Sequence, residues 1–473
     1  MKSSVDRPSS ANYKEPLLWL VAIGFFMQSL DATILNTALP SMAASLGQSP
    51  LHMQSVVVAY ALTTAMLIPA TGWVADRFGT RRIYTAAMAL FVLGSVLCAL
   101  APTLQFLVMA RVVQGVGGAM MLPVGRLAVL RAYPRDAFIR AMSFIAIPGQ
   151  VGPLMGPALG GWLVEFASWH WIFWINVPIG IAGVWAAWRW MPLHDQQPKR
   201  AFDGVGFALL AGGMVGVSLA LDGLSGVGLG HAVVAVLLVF GMASLAAYWM
   251  HALRSRNPLF APALFGVRSL RVGLLGNLFA RLGSGAAPFL VPLMLQVGLG
   301  LSPFHAGTMM LATVLGSMLV KRMAVRTVLR FGYKRVLQVN SALLGLMIAG
   351  LGLVSPAQPV WLIVVQLFVF GGINSMQFSA MNSVTLKDMA GEFASSGNSL
   401  LSMVQMLAMS MGVAVAGAVL TGYADMWQAR EGFKLLALQA TFVTVGVMTL
   451  AATLVFSQLE DDEPVQPAPD AGD

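Results

Sequence analysis

Apolar residues in this chain come in long unbroken runs. Fourteen reach membrane-spanning length, at about 16–39, 53–75, 83–101, 105–125, 138–163, 171–190, 204–222, 231–250, 270–296, 306–325, 335–354, 359–380, 394–421 and 434–457. A membrane helix needs about 20 mostly apolar residues. Every run exceeds a barrel strand and none alternates with period two, so each predicts a helix. Polar stretches at 191–203 and 251–269 and the tail from Gln458 part the spans into six, two and six. The expected organisation is an N-terminal six-helix bundle over 1–190, two extra spans with flanking linkers over 191–269, a C-terminal six-helix bundle over 270–457, and an acidic, Pro-rich, disordered tail over 458–473.

Composition supports that reading. Among 473 residues there are 28 Lys and Arg and 19 Asp and Glu, 10% charged, with 58% hydrophobic residues. A soluble globular protein carries roughly 25% charge, so a soluble enzyme, a disordered chain and a nucleic-acid-binding domain are excluded. The net charge of +9 is explained by topology: basic residues mark cytoplasmic loops. Arg77, Arg81 and Arg82 follow span two; Arg126, Arg131, Arg135 and Arg140 surround the loop after span four. Arg189, Lys199 and Arg200 follow span six, Arg254, Arg256, Arg268 and Arg271 span eight, and Arg326, Arg330, Lys334 and Arg335 span ten. The opposite side holds only Arg430 and Lys434, which puts both termini in the cytoplasm. The first run is longer than a typical signal-peptide core and contains Asp31, so it is expected to remain a span. A single cysteine, Cys98, excludes an internal disulfide framework and a Cys-based metal site.

An internal echo links the two six-span sets. Gly72-Trp73-Val74-Ala75-Asp76-Arg77-Phe78-Gly79-Thr80-Arg81-Arg82 follows span two, and Val325 to Arg335, with Arg330-Phe331-Gly332, follows the second span of the second set. Such a repeat suggests a transporter whose binding site lies between two bundles. In the first copy Gly72 is expected to let two helices approach closely. Asp76 can pair with a cation or a helix amino terminus, and the arginines hold the turn at the headgroups. The second copy has Val325 and Leu329 where the first has the glycine and the acid. Span five reads Gly149-Gln150-Val151-Gly152-Pro153-Leu154-Met155-Gly156-Pro157-Ala158-Leu159-Gly160-Gly161. Gly152, Gly156 and Gly160 form one smooth stripe for close helix packing, and Pro153 and Pro157 each remove a backbone donor.

Span four places Arg111, Gln114, Gly115 and Gly118 on one face. An arginine at that depth costs at least about 2.5–3.5 kcal/mol, so it faces water or a partner, or snorkels to the cytoplasm. Span one carries Leu30-Asp31-Ala32-Thr33-Ile34-Leu35-Asn36-Thr37-Ala38-Leu39-Pro40, with Gln28 on the face of Asp31. An acid in low dielectric can load and release a proton near neutrality, which makes Asp31 the leading proton carrier; a structural pair with Arg111 is the compatible alternative. In the second half Arg281, Gly285, Pro288 and Pro292 share a face of span nine. Gln28 and Gln114 in the first half, Arg281 on span nine, Gln366, Asn374 and Gln377 on span twelve, and Asn398 and Gln405 on span thirteen are candidate cavity residues. The alternative for the amides is interhelical hydrogen bonding, whereas a mid-membrane cation such as Arg281 marks a site by default.

These motifs together resemble the major facilitator superfamily, in its fourteen-span drug–proton antiporter branch, over nearly the whole chain. The resemblance implies an all-α polytopic fold of two six-helix bundles plus two extra spans. It also implies a cytoplasmic conformational latch at Gly72, Asp76, Arg77, Gly79, Arg81 and Arg82, an antiporter motif on span five, and a proton path near Arg111. The segment Trp169 to Gly180 resembles the branch's outer-loop signature, and its aromatics equally fit an interfacial belt. The expected function is proton-coupled export of small molecules, multidrug efflux, from a bacterial inner membrane. Because Asp31 stands against two deep arginines, export of organic-acid anions of a citrate-like kind is the alternative. No Gly-x-x-x-x-Gly-Lys-Ser/Thr loop is present, so ATP is not the expected energy source. No cofactor, metal, nucleic acid or required protein partner is implied; the partners are small-molecule substrate, protons and lipid. A membrane-embedded enzyme would need a reactive constellation, and a channel would not need the Gly-Pro series.

Overall fold

The computed structural model describes residues 14–133, 135–192, 201–223, 230–389 and 393–460. Among them it has fifteen α-helices and no strand. Seven lie in the first part: α1 (Lys14–Ser45), α2 (Gln54–Phe78), α3 (Thr80–Ala99), α4 (Leu104–Ala132), α5 (Arg135–Phe166), the single turn α6 (Trp171–Trp174) and α7 (Asn176–Trp190). Two follow, α8 (Gly204–Gly223) and α9 (His231–Arg254). The last six are α10 (Arg268–Leu293), α11 (Pro303–Phe331), α12 (Tyr333–Leu351), α13 (Val360–Leu386), α14 (Phe393–Trp427) and α15 (Phe433–Phe456).

Among the described residues, twelve helical segments are long and apolar enough to cross a membrane. The runs over 138–163 and 335–354 fall on α5 and α12, outside that set. Three prolines and a glycine series dilute the apolar character of α5, and α12 opens on Lys334 and Arg335. The sixth run is interrupted at Ile175, between α6 and α7, and the ninth ends in a π-helical turn over Met294–Gly298. The tail begins ordered. Arg268 donates to the Gln458 carbonyl and pairs with Glu460 at 2.6 Å, and Leu459 is buried. Residues 461–473, expected to be disordered, lie outside the described residues.

Packing repeats between α1–α7 and α10–α15. In the first set α1 packs on α5, α2 and α3 on α4, and α3 on α7; in the second α10 packs on α14, α11 and α12 on α13, and α12 on α15. The sets meet through two seams, α2 against α14 and α5 against α11, which exchange under the same correspondence. The hairpin of α8 and α9 lies beside the first seam, α8 touching both α2 and α14. The Arg-Phe-Gly echo is the same turn twice. Both α2 and α11 end at the phenylalanine, and Gly79 (φ 87°) and Gly332 (φ 75°) turn the chain into the next helix. Positive φ strains any residue with a Cβ, which is why both turns use glycine.

Candidate functional site

Five helices of the first set meet in one cluster around Asp31. Asp31 on α1 and Arg111 on α4 are each 1% exposed, and Gln114, one turn further on α4, is fully buried. Arg111 Nη1 donates to Asp31 Oδ2 at 2.7 Å and to Gln114 Oε1 at 2.5 Å. Asp31 Oδ1 accepts from Gln114 Nε2 at 2.8 Å and from Asn176 Nδ2, at the start of α7, at 3.0 Å. Ser95 on α3 accepts from Gln114 Nε2 at 2.9 Å. Arg111 Nε donates to the Val56 carbonyl at 3.3 Å, and its guanidinium lies 4.4 Å from the centre of the Tyr60 ring. The arginine therefore turns into the bundle and does not snorkel. Every polar atom of Asp31 is met by a donor, as a buried charge requires. Gln28 does not join the cluster; it donates to the Gly118 carbonyl at 3.0 Å.

The α2–α3 turn is built differently from its expectation at one position. Asp76 pairs with Arg131 at the end of α4, within the same set of helices. Arg77 lies over Trp73 and Phe78, and Arg81 over Trp188. Arg82 is exposed. A Cβ placed on Gly72, however, would meet nothing within 4 Å, so no close helix contact depends on that glycine in this arrangement. Gly79 is the residue whose backbone needs glycine.

The glycines of α5 are where backbones meet. A Cβ on Gly152, Gly156 or Gly160 would lie 2.1–2.5 Å from Ser29, Thr33 or Thr37 of α1, and one on Gly149 would enter the Phe25 ring. The adjoining face meets the second set: a Cβ on Gly161 would lie 2.2 Å from the Pro303 carbonyl oxygen, and one on Gly307 of α11 lies 2.1 Å from that of Pro157. Thus α5 is wedged between α1, which carries Asp31, and the α11 seam.

Second-half candidates separate into two kinds. Gln377 is buried, donates to Ser341 Oγ at 2.7 Å and accepts from Asn340 at 2.8 Å, so it clamps α13 to α12. Gln405 bonds Asn277 and Asn382, joining α14 to α10 and α13. Gln366 accepts from Gln358 at 3.3 Å, and Asn374 and Asn398 are half-buried and exposed. Arg281 differs: it is half-buried, its guanidinium lies 4.8 Å from the centre of the Phe378 ring, and its Nε is buried without a partner. No described acid pairs with it. The structure brings Asp31, Arg111 and Gln114 together and leaves Arg281 apart, in the other set of helices.

The family described as Major Facilitator Superfamily matches residues 21–413 and again 273–472. The chain belongs to the Major Facilitator Superfamily. It is 50% identical over 459 residues, 97% of this chain and 98% of the relative, to a protein of Pectobacterium atrosepticum named "Putative multidrug resistance protein MdtD". A Serratia proteamaculans protein of the same name is 54% identical over 86% of this chain and 85% of its own length. Among solved structures, a POT family transporter in complex with a thioalcohol-conjugated peptide superimposes with a TM-score of 0.69, at 16% identity over 93% of this chain and 94% of that one. A D-xylose-proton symporter does so at 0.64, with 14% identity over 94% and 98%. At that identity these two establish the fold alone.

As a Major Facilitator Superfamily member the chain is a multi-pass membrane transporter of small molecules rather than an enzyme. Reading the sequence missed Asn176, Ser95, Tyr60 and Arg131 as partners in these clusters. Asn176 lies within the Trp169–Gly180 segment, where neighbouring aromatics suggested only an interfacial role. His170 in that segment stacks on Trp169 at 3.8 Å, and burial holds its imidazole below the ordinary value.

Proposed function

We propose that this transporter is a proton-coupled antiporter that exports small molecules by alternating access, with fourteen spans, both termini cytoplasmic, in a bacterial inner membrane. The observation that carries it is the Asp31 cluster. As a carboxylate, Asp31 accepts from Arg111, Gln114 and Asn176; as an acid it loses the charge that holds Arg111 and gains a donor of its own. Proton uptake then loosens α1 from α4 and α7, and α5, packed on α1 and on α11, carries the change to the seam between the halves. The names of the close relatives support multidrug efflux as the task, and the arginine asymmetry supports the orientation.

One observation favours a second substrate class. Arg281 offers a cation without a described acid partner at the middle of α10, suited to an organic anion such as a citrate-like carboxylate. Everted vesicles test both. A lipophilic cation that collapses the proton gradient, with citrate inert, supports drug efflux; the reverse supports the anion. Proton-coupled export that survives Asp31→Asn would overturn the coupling role of Asp31.

A further inference from the structure

A second acid lies in the bundle, away from Asp31. Asp222 sits in the last turn of α8, where the helix touches α2 and α14 at the end of the seam that carries the α2 N-terminus. Its Oδ1 is buried without a hydrogen-bond partner. Gln54, in the first turn of α2, is fully buried and interacts with Asp222, yet neither amide atom of Gln54 makes a close hydrogen bond. The Gln54 side chain fills the space left by Gly417 of α14, where a Cβ would lie 2.7 Å from its Cγ. One turn deeper, Ser218 of α8 meets Ser410 of α14 at 3.5 Å. The acid is thus packed where three helices, two of them from different halves, close on one another.

Nothing described there suits a negative charge. A helix C-terminus carries about half a negative charge, which opposes an ionised acid in its last turn. The titratable groups at this end of the packed elements are His52 beside α2, His231 on α9, and Tyr423 and Asp425 on α14. None of these described groups acts on Asp222; among the described side chains the one that does is Gln54. Asp31 has an arginine and two amides; Asp222 has one amide that it does not firmly bond. Separating α2 from α14 would withdraw Gln54 from its slot and admit water, the condition in which a carboxylate ionises readily.

We propose that Asp222 is a second proton-binding site, loaded when the α2–α14 seam closes and emptied when it opens. This rests on the antiport reading, in which that end faces outside the cell. Closure takes up a proton there, so acid outside favours the closed seam and alkali the open one.

The test uses the full chain in proteoliposomes, with Cys98→Ser and spin labels at Gln48→Cys and Met426→Cys, both exposed at that end and on opposite halves. The ratio of long to short distances should rise by up to about tenfold per pH unit, the limit for one linked proton. Asp222→Asn should hold the short distance at every pH. Gln54→Glu should move the midpoint to higher pH, because two neighbouring carboxyls share a proton. An unchanged titration in Asp222→Asn overturns the proposal; if that variant does not fold, an unmoved midpoint in Gln54→Glu does so. Export measured in Asp31→Asn vesicles stands apart: it can remove the antiport reading while the Asp222 titration stays as expected.

Discussion

The two halves of the molecule share a fold and a turn but treat buried charge in opposite ways. In α1–α7 the charge at the core is a closed circuit, with Arg111 on Asp31 at 2.7 Å and Gln114 bridging both. In α10–α15 the core is clamped by neutral amides, Gln377 on Ser341 and Asn340 and Gln405 on Asn277, while Arg281 stands against a phenylalanine ring. On the antiport proposal, the difference divides the labour. A paired acid and base can switch, because a proton changes the pairing; neutral clamps cannot, so they hold a frame. On the same proposal Arg281, with no described acid partner, is available to a substrate. The turns differ in the same sense: Asp76 pairs with Arg131 in the first copy, whereas Leu329 in the second is 54% exposed.

The largest effect should come from breaking the closed circuit. Removing one partner of a buried pair leaves an uncompensated charge and costs about 3–5 kcal/mol. Asp31→Leu and Arg111→Leu should each lower stability by that amount, and the double variant should recover part of the loss, as coupled neighbours do. Thermal unfolding of the purified protein in one detergent, followed by tryptophan fluorescence, measures all three. Additive losses would mean that the pair carries no coupling, and the contrast between halves would fall with it.

Arg281→Leu is the converse change and should differ in sign. With no acid left stranded and no ion pair lost, stability should be unchanged or rise by about 1–2 kcal/mol, as when unsatisfied charge is replaced by apolar packing. Uptake of an organic anion into everted vesicles should drop at the same time if Arg281 holds substrate. A loss of 3–5 kcal/mol in this variant would instead reveal a hidden partner and make the halves alike.

Some of this was legible in the residue pattern and some was not, for identifiable reasons. Span lengths are readable because hydrocarbon thickness sets them, and the glycine stripe of α5 is readable because its spacing alone defines a smooth face. Arg111 was recognisable as costly, and a structural pair with it was one of the two readings of Asp31. Asn176 was hidden because it is 145 positions from Asp31 and only tertiary packing joins them. Gly72 shows the reverse error: a glycine in a motif does not say which helix, if any, comes close. Gln377 and Arg281 were both candidate cavity residues, with Arg281 set apart by its charge. Only their partners tell a clamp from a site.

A third acid shows how a charge is kept without a permanent cation, and it is the mildest test of the contrast. Asp203, just before α8 and outside the spanning segments, caps that helix by accepting from the Gly206 amide at 2.9 Å; it also accepts from Leu259 N–H at 3.0 Å and meets His251 Nε2 at 2.7 Å. Burial pushes its carboxyl up, but the Gly206, His251 and Leu259 contacts outweigh burial and hold it below the usual carboxylate value. A depressed folded value means that its stabilisation is present above the unfolded value, about 3.9, and is lost as pH falls through the lower folded one. Asp203→Asn keeps a capping side chain and removes only the charge, so it should lower stability by about 0.3–1 kcal/mol at neutral pH, the worth of a negative charge at a helix N-terminus, and by progressively less in acid. Melting curves of both proteins taken from pH 7 down to strong acid should converge. Curves that stay parallel would show that Asp203 acts through shape rather than charge, leaving Asp31 as the acid whose charge the fold requires.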